Sequence, residues 1–185
     1  GYGIRSEWGL RTYGESADRP SIDFYGRQLE LVQAIHATGT PVVIVIVNGK
    51  PLNNEWITKN IPTIVDVWEP GMYGGQALAE ILFGEVNPSG KLPFTFPVRL
   101  EDNPAIALDA YPGDGKQVEY KEGIFVGYRW NDRERIKPLF CFGHGLSYTT
   151  FEYGKVTAEG RQMGPDGTIT VSVPVKNTGS RAGAE

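Results

Sequence analysis

The chain has 185 residues, 40% of them hydrophobic and 22% charged, a composition that belongs to a folded globular protein and excludes a disordered one. Its net charge of −4 comes with no basic patch, so nothing in it is suited to neutralising nucleic-acid phosphates. The longest apolar run, VVIVIV within residues 41–47, is far shorter than the roughly 20 residues a membrane-spanning helix needs, and no basic leader followed by an apolar stretch opens the chain.

In chain order, Arg27 to Thr38 places Leu29 and Val32 three apart and Leu31 and Ile35 four apart, which predicts a helix with one buried stripe. Gly39 is placed to cap it and Pro41 to prevent its continuation. Val42 to Val47 is β-branched throughout and reads as a strand buried on both faces, as in a parallel sheet covered by helices. Asn48-Gly49 makes a turn at its end, Leu52 to Lys59 a short helix, and Thr63 to Trp68 a second strand. Gly74-Gly75 leads into a helix over Gln76 to Phe83 that Gly84 ends. Alternating strands and helices with short loops define a layered α/β domain.

After Asn87 the pattern changes. NPSGKLPFTFP reads as an extended segment punctuated by turns, Asp102 to Gln117 as a long polar loop, and Ile124 to Trp130 as a short strand. From Phe151 the pattern is all β: one strand over Phe151 to Ala158, a Gly164-Pro165-Asp166-Gly167 turn, and a half-buried strand over Thr168 to Val175 in which Pro174 marks an edge or bulge. Two strands do not make an independently stable sheet. The chain is therefore expected to be a fragment that stops inside a β-sandwich.

The chemistry-bearing residues are few. His36 lies on the first helix and reads as a surface or boundary side chain, and His144, between glycines in FGHGLSY, as a structural histidine of a tight turn. Neither has neighbours at zinc-ligand spacing. The single Cys141 cannot close an internal disulfide. GEVNPSGK (residues 84–91) imitates a phosphate loop but has five residues between its glycines, Leu92 in place of the magnesium-binding hydroxyl, and a helix before it in place of a strand. One acidic loop stands apart, YGESADRP over residues 13–20, with Trp8 and Tyr13 close by. Glu15 there can serve as a proton donor to a leaving group, or Asp18 and Arg19 can form an ordinary ion pair.

The motifs in order carry a resemblance. GESADRPSIDFYGRQLELVQAI, PVVIVIVNGKPL, WEPGMYGGQALAEILFGEVNPSGKLPFTFP, DNPAIALDAYPGDGKQVEYKEGIFVGYRW and PLFCFGHGLSYTTFEY together resemble the C-terminal part of glycoside hydrolase family 3, the β-glucosidase and β-xylosidase family, over essentially the whole chain. The densest identifying stretch is Glu122 to Phe151, which reads as the connector into a following β domain. Met72, Cys141 and Leu108-Asp109-Ala110 depart from the family pattern without removing a catalytic group.

The resemblance implies a partial layered α/β sandwich over residues 1–147, followed over 148–185 by the first strands of an immunoglobulin or fibronectin type III-like sandwich. It implies a retaining exo-acting β-glycosidase, most simply a β-glucosidase, secreted or periplasmic, with no metal and no cofactor. In such an enzyme an aspartate nucleophile lies on an N-terminal (β/α)8-type barrel, and a glutamate of the GE-x-x-DR loop is the general acid/base. That glutamate falls on Glu15 here, with Glu7 as its rival. The implied partners are a β-glucoside or oligosaccharide substrate and the missing barrel, with no nucleic acid and no membrane; without the barrel the chain is expected to be inactive. The alternatives are a non-catalytic carbohydrate-binding or structural module, and β-xylosidase specificity.

Overall fold

The computed structural model describes residues 21–111, 113, 116–160 and 164–185. The chain divides into two compact units. The first comprises the chain as far as Leu78 together with Leu92–His144, and the second comprises Ala79–Lys91 with Gly145–Glu185.

The first unit is α/β. Helix α1 (Gln28–His36) is followed by strand β1 (Val43–Val47), helix α2 (Glu55–Asn60), strand β2 (Thr63–Trp68) and helix α3 (Gly74–Leu82), whose last turn belongs to the second unit. The positive φ of Gly39 (78°) and of Gly84 (80°) shows why both helices stop where glycine stands. Strands β1 and β2 pair in parallel from Val43↔Thr63 to Ile46↔Asp66, joined through α2.

The core gathers on one side of this pair. Ile44 and Ile46 point inward with Leu52, Ile57 and Ile61, and Leu29, Val32 and Trp56 pack against them. The two expected consequences of the apolar patterns need correcting. Strand β1 is not buried on both faces, because Val43 and Val47 are 48% and 36% exposed. Helix α1 buries Leu29 and Val32 only in part and leaves Leu31 and Ile35 exposed. In both, the residues that meet the core follow the strand period of two or the three-residue helix spacing, and the other apolar residues point away.

Asn54 caps α2, its side chain accepting from Trp56 N–H at 3.0 Å. The segment over 102–117, expected as loop, is entered through a 3₁₀ turn (Leu100–Asp102) and contains the one-turn helix α4 (Pro104–Ala107). Arg99 and Asp102 close the first through a 2.9 Å ion pair, and Asn103 caps the second, with Pro104 at its first position. The expected strand over 124–130 is instead a turn followed by helix α5 (Tyr128–Glu134), with Gly127 at φ 56° preceding it. Arg133 of α5 lies 4.3 Å from the Phe125 ring centroid and 4.6 Å from that of Trp130, so the aromatic run is consumed by cation–π packing in place of strand pairing.

The second unit is β. Strands β3 (Phe151–Tyr153) and β6 (Val175–Asn177) pair antiparallel, as do β4 (Thr157–Glu159) and β5 (Thr170–Ser172). The expected long strands, 151–158 and 168–175, are each broken in two, and at facing points: Gly154 N–H donates to Pro174 O at 2.8 Å. A Cβ at Gly154 would stand 3.1 Å from the Pro174 ring. Proline cannot continue the ladder and glycine makes room for it, so both strands stop together. The half-buried face expected for 168–175 is open, with Val171 63% and Val175 47% exposed.

Asn87 is the hub of this unit. Its Nδ2 donates to Ala182 O at 2.9 Å, while its Oδ1 accepts from Ser147 Oγ at 2.9 Å and Tyr148 N–H at 2.8 Å. Around it, Tyr148 OH donates to Ile81 O at 2.8 Å, Arg181 donates to Gly84 O, and Lys91 pairs with Glu185 at 3.2 Å. The chain over 79–91 is thus tied to the segments that flank the strands, 147–148 and 181–185, through Asn87, Lys91, Tyr148 and Arg181.

Candidate functional site

In parallel α/β sheets the carboxyl ends of the strands are where ligands bind. At that edge β1 and β2 end in Asn48-Gly49-Lys50-Pro51 and Trp68-Glu69-Pro70-Gly71. The register slips between Ile46 and Val47, so that Val47 pairs with Trp68 and Val67 is left as a bulge. Asn48 N–H then donates to Trp68 O at 3.2 Å, prolonging the contact past the strand ends.

The bulge has a cost and a support. Trp68 sits at φ 51°, a left-handed conformation that a bulky residue adopts only when its surroundings impose it. Asp66 Oδ1 accepts from Trp68 N–H at 3.2 Å, and its Oδ2 accepts from Asn48 Nδ2 at 3.4 Å. The indole packs edge-on to Phe94 (5.5 Å) and Phe96 (6.2 Å), and Phe96 in turn meets Phe140. Phe140 stacks on His144 at 4.9 Å. The segment 92–96 is held to 139–144 by Leu92 N–H to His144 O and Phe96 N–H to Phe140 O, at 2.8 and 2.9 Å. The FCFGH motif therefore braces the wall behind Trp68, with His144 in a structural role.

Asn48 is only 5% exposed. Its Nδ2 also donates to Lys50 O at 2.5 Å, but its Oδ1 is buried without a partner among the described residues. Burial pushes the Asp66 carboxyl above its ordinary 3.8, opposed by the hydrogen bonds from Trp68 and Asn48. Glu69 is exposed, and Gly49 leaves it room, since a Cβ at Gly49 would stand 2.9 Å from Glu69 Oε1. Gly74 plays the same part for the turn: a Cβ there would lie 2.6 Å from Pro70 Cγ. Gly74→Ala is expected to push Pro70 and the Trp68–Gly71 turn outward, costing about 1–3 kcal/mol by overpacking, readable as a lowered urea midpoint at unchanged m-value.

Glu15 and its rival Glu7 lie outside the described residues, as do Trp8, Tyr13, Asp18 and Arg19. The described residues that follow them in sequence pack on the loop after β1. Ile22 O accepts from Asn53 N–H at 2.9 Å, and Asp23 Oδ1 accepts from Asn54 Nδ2 at 3.4 Å, so the residues after Pro20 run alongside the loop that Asn48 begins. Asn53 is itself buried and donates to Pro97 O and Val98 O, tying that loop to the 92–98 segment. His36 packs edge-on to Trp56 at 5.4 Å, at the core boundary. Among the described residues no group of three or more His, Cys, Asp or Glu could hold a metal ion, and no helix is long and apolar enough to cross a membrane. Sequence reasoning passed over Asn48, Asp66 and Trp68. The available signal was an aspartate inside an otherwise apolar strand, TIVDVW, next to an Asn-Gly turn.

The α/β unit has its braced edge at the carboxyl ends of two parallel strands, and comparison with known proteins places it in a family. Residues 6–128 match the glycosyl hydrolase family 3 C-terminal domain, and the chain belongs to that family. It is similar to Beta-glucosidase BoGH3A of Bacteroides ovatus, 51% identical over 173 residues that make up 92% of this chain and 23% of that protein. A Beta-xylosidase of Formosa agariphila is 45% identical over 177 residues, covering 95% of this chain and 23% of its own length. Among solved structures, DesR, a β-glucosidase from Streptomyces venezuelae in complex with D-glucose, superposes with a TM-score of 0.80 at 40% identity, covering 90% of this chain and 21% of that one. The chain thus spans less than a quarter of the length of these relatives.

Proposed function

We propose that this chain is the acid/base-bearing part of a retaining exo-β-glucosidase, with residues 1–147 belonging to its α/β-sandwich domain and 148–185 opening a fibronectin type III-like domain. The observation that carries the reading is the 51% identity to a protein named a beta-glucosidase across 92% of the chain. In this mechanism an aspartate on an N-terminal barrel attacks the anomeric carbon while Glu15 protonates the departing glycosidic oxygen. Glu15, now a carboxylate, then takes a proton from the water that hydrolyses the glycosyl-enzyme. The two carboxyls must come within about 5–5.5 Å of each other for the covalent route. Glu15 has to stay protonated at working pH, above the free value near ~4.3, and the neighbouring anionic nucleophile supplies the push. Secretion or periplasmic export fits an enzyme that meets soluble oligosaccharides.

The chain alone carries no nucleophile under this reading. It is expected to show no turnover of an aryl β-glucoside by itself and to turn it over when joined to its barrel. Turnover by the isolated chain would sink the reading by placing a complete site on it, and none in the joined protein would sink it and leave a non-catalytic module. The similarity to a protein named a beta-xylosidase supports a second reading of the glycone. The ratio of kcat/KM for the aryl β-glucoside and β-xyloside decides between them.

A further inference from the structure

The carboxyl edge of the strands holds an aromatic side chain that packing accounts for only in part. Trp68 is half-buried. Phe94 and Phe96 lie stacked on each other, 24° between their planes, and both meet the indole at steep angles, 61° and 82°. Among the described residues no aromatic ring lies parallel to the indole, so its faces are not taken up by stacking. The backbone holds the ring there at a cost. Trp68 stands at φ 51°, a conformation for which this chain mostly uses glycine, as at Gly39, Gly71 and Gly84. A bulky residue kept in it points to a need for the side chain itself.

Glu69 follows, exposed, and enters none of the ion pairs among the described residues. Its Oε1 lies over the turn that ends β1, where a Cβ on Gly49 would stand 2.9 Å from it. Trp68 O accepts from Asn48 N–H in the same turn, at 3.2 Å. The indole and the carboxylate therefore flank one turn at the edge where parallel sheets bind their ligands.

A half-open aromatic ring beside an unpaired carboxylate matches a pyranose. A sugar ring offers an apolar face of C–H groups and a rim of hydroxyls. An aromatic face takes the first, and a carboxylate, which only accepts, takes hydroxyl donors from the second. A purely apolar ligand would desolvate Glu69 without giving it a donor, and an anion would be repelled by it. An ammonium group would suit both side chains, and membership of a glycosyl hydrolase family decides for the sugar.

We propose that Trp68 and Glu69 form a sugar-binding subsite for the leaving-group side of the substrate, with the indole as its platform and the Glu69 carboxylate accepting from its hydroxyls. The side follows from the proposed function, on which this inference rests. The acid protonates the departing oxygen, so the part of the enzyme that carries the acid faces the sugar attached to that oxygen.

The test uses the full-length enzyme with Trp68→Phe, Trp68→Leu and Glu69→Gln. kcat/KM is measured for a β-linked glucose disaccharide and for methyl β-glucoside, which share a glycone and differ in the leaving group. The ratio of the two is expected to fall about tenfold in Trp68→Leu, through KM for the disaccharide, and to be largely kept in Trp68→Phe. Glu69→Gln should lower it about threefold to tenfold, the loss of a charge-assisted acceptor. Calorimetric titration with a thio-linked disaccharide, which is bound without being cleaved, should show the same losses of affinity. A ratio and an affinity that both stay at the wild-type value in Trp68→Leu and Glu69→Gln would overturn the proposal and leave the proposed function standing. Binding of the thio-linked disaccharide that depends on Trp68, in a protein that hydrolyses no glucoside, would keep the sugar subsite and retire the catalytic reading. Neither binding nor hydrolysis would overturn both. Glu69→Gln, an exposed change, keeps the test available if the Trp68 variants do not fold.

Discussion

Replacing Glu15 by Ala in the full-length protein is expected to lower kcat on an alkyl or oligosaccharide β-glucoside by about 10²–10⁴-fold, the usual contribution of a positioned general acid. The size follows from the leaving group. An alkoxide is a poor one, and without a proton on the glycosidic oxygen the first step stalls. A dinitrophenolate leaves unaided, so with that substrate the glycosyl-enzyme still forms and the loss shifts to the second step, where no carboxylate activates water. Azide needs no deprotonation. Added azide should therefore restore turnover of the activated substrate and give a β-glucosyl azide, because the second displacement again inverts the carbon. Glu7→Ala supplies the comparison. If Glu15→Ala keeps its activity and Glu7→Ala shows the azide-rescued loss, the roles of the two residues exchange; if neither loses activity, the acid lies elsewhere.

The largest expected effect on stability is at Ile57. Its side chain is 1% exposed, enclosed with Ile44, Ile46, Leu52 and Ile61. Ile57→Ala removes three buried carbons and leaves a cavity that a short helix between two strands cannot easily collapse, at a cost of about 2–5 kcal/mol. Against the roughly 5–15 kcal/mol that holds a domain together, such a loss is a large fraction. Ile57→Val should cost only about 0.5–1.5 kcal/mol. Leu31→Ala, at a position 61% exposed on α1, should stay within about ±0.5 kcal/mol. Urea denaturation of the three variants checks the order. An Ile57→Ala protein as stable as Leu31→Ala would mean that the core around α2 is not the one described. Because α2 hangs directly from the 48–54 loop, the same variant should also loosen the strand edge where Asn48 stands.

Much of the α/β unit was legible because its signals were local and strong. Strand β2 lies where TIVDVW ends against Trp68, and Gly39 and Gly84 stop their helices in the left-handed conformation that made them recognisable. Burial was less legible, since a run such as VVIVIV does not say which of its faces will be covered. Helix α5 was hidden because Phe125, Tyr128 and Trp130 resemble strand residues until Arg133 is seen lying against two of them. Helix α4 did leave a mark, the Asn103-Pro104 cap, inside a segment whose prolines and glycines otherwise read as loop. The breaks at Gly154 and Pro174 became meaningful only as a facing pair. At the site, the resemblance singled out Glu15, whereas the partnership of Asn48 with Asp66 links residues eighteen apart and depends on a bulge that no periodicity announces.

The hub at Asn87 has a chemical consequence. Asparagine ages by attack of the following backbone nitrogen on its own side-chain carbonyl, which closes a succinimide and sheds ammonia. The residue after Asn87 is Pro88, whose nitrogen carries no hydrogen and cannot become that nucleophile. The carboxamide is moreover held at both ends, by Ala182 on one side and by Ser147 and Tyr148 on the other. Conversion to aspartate would replace the donor to Ala182 with a second acceptor and undo the tie between residues 79–91 and residues 181–185. Placing proline after this asparagine gives the joint a long chemical lifetime.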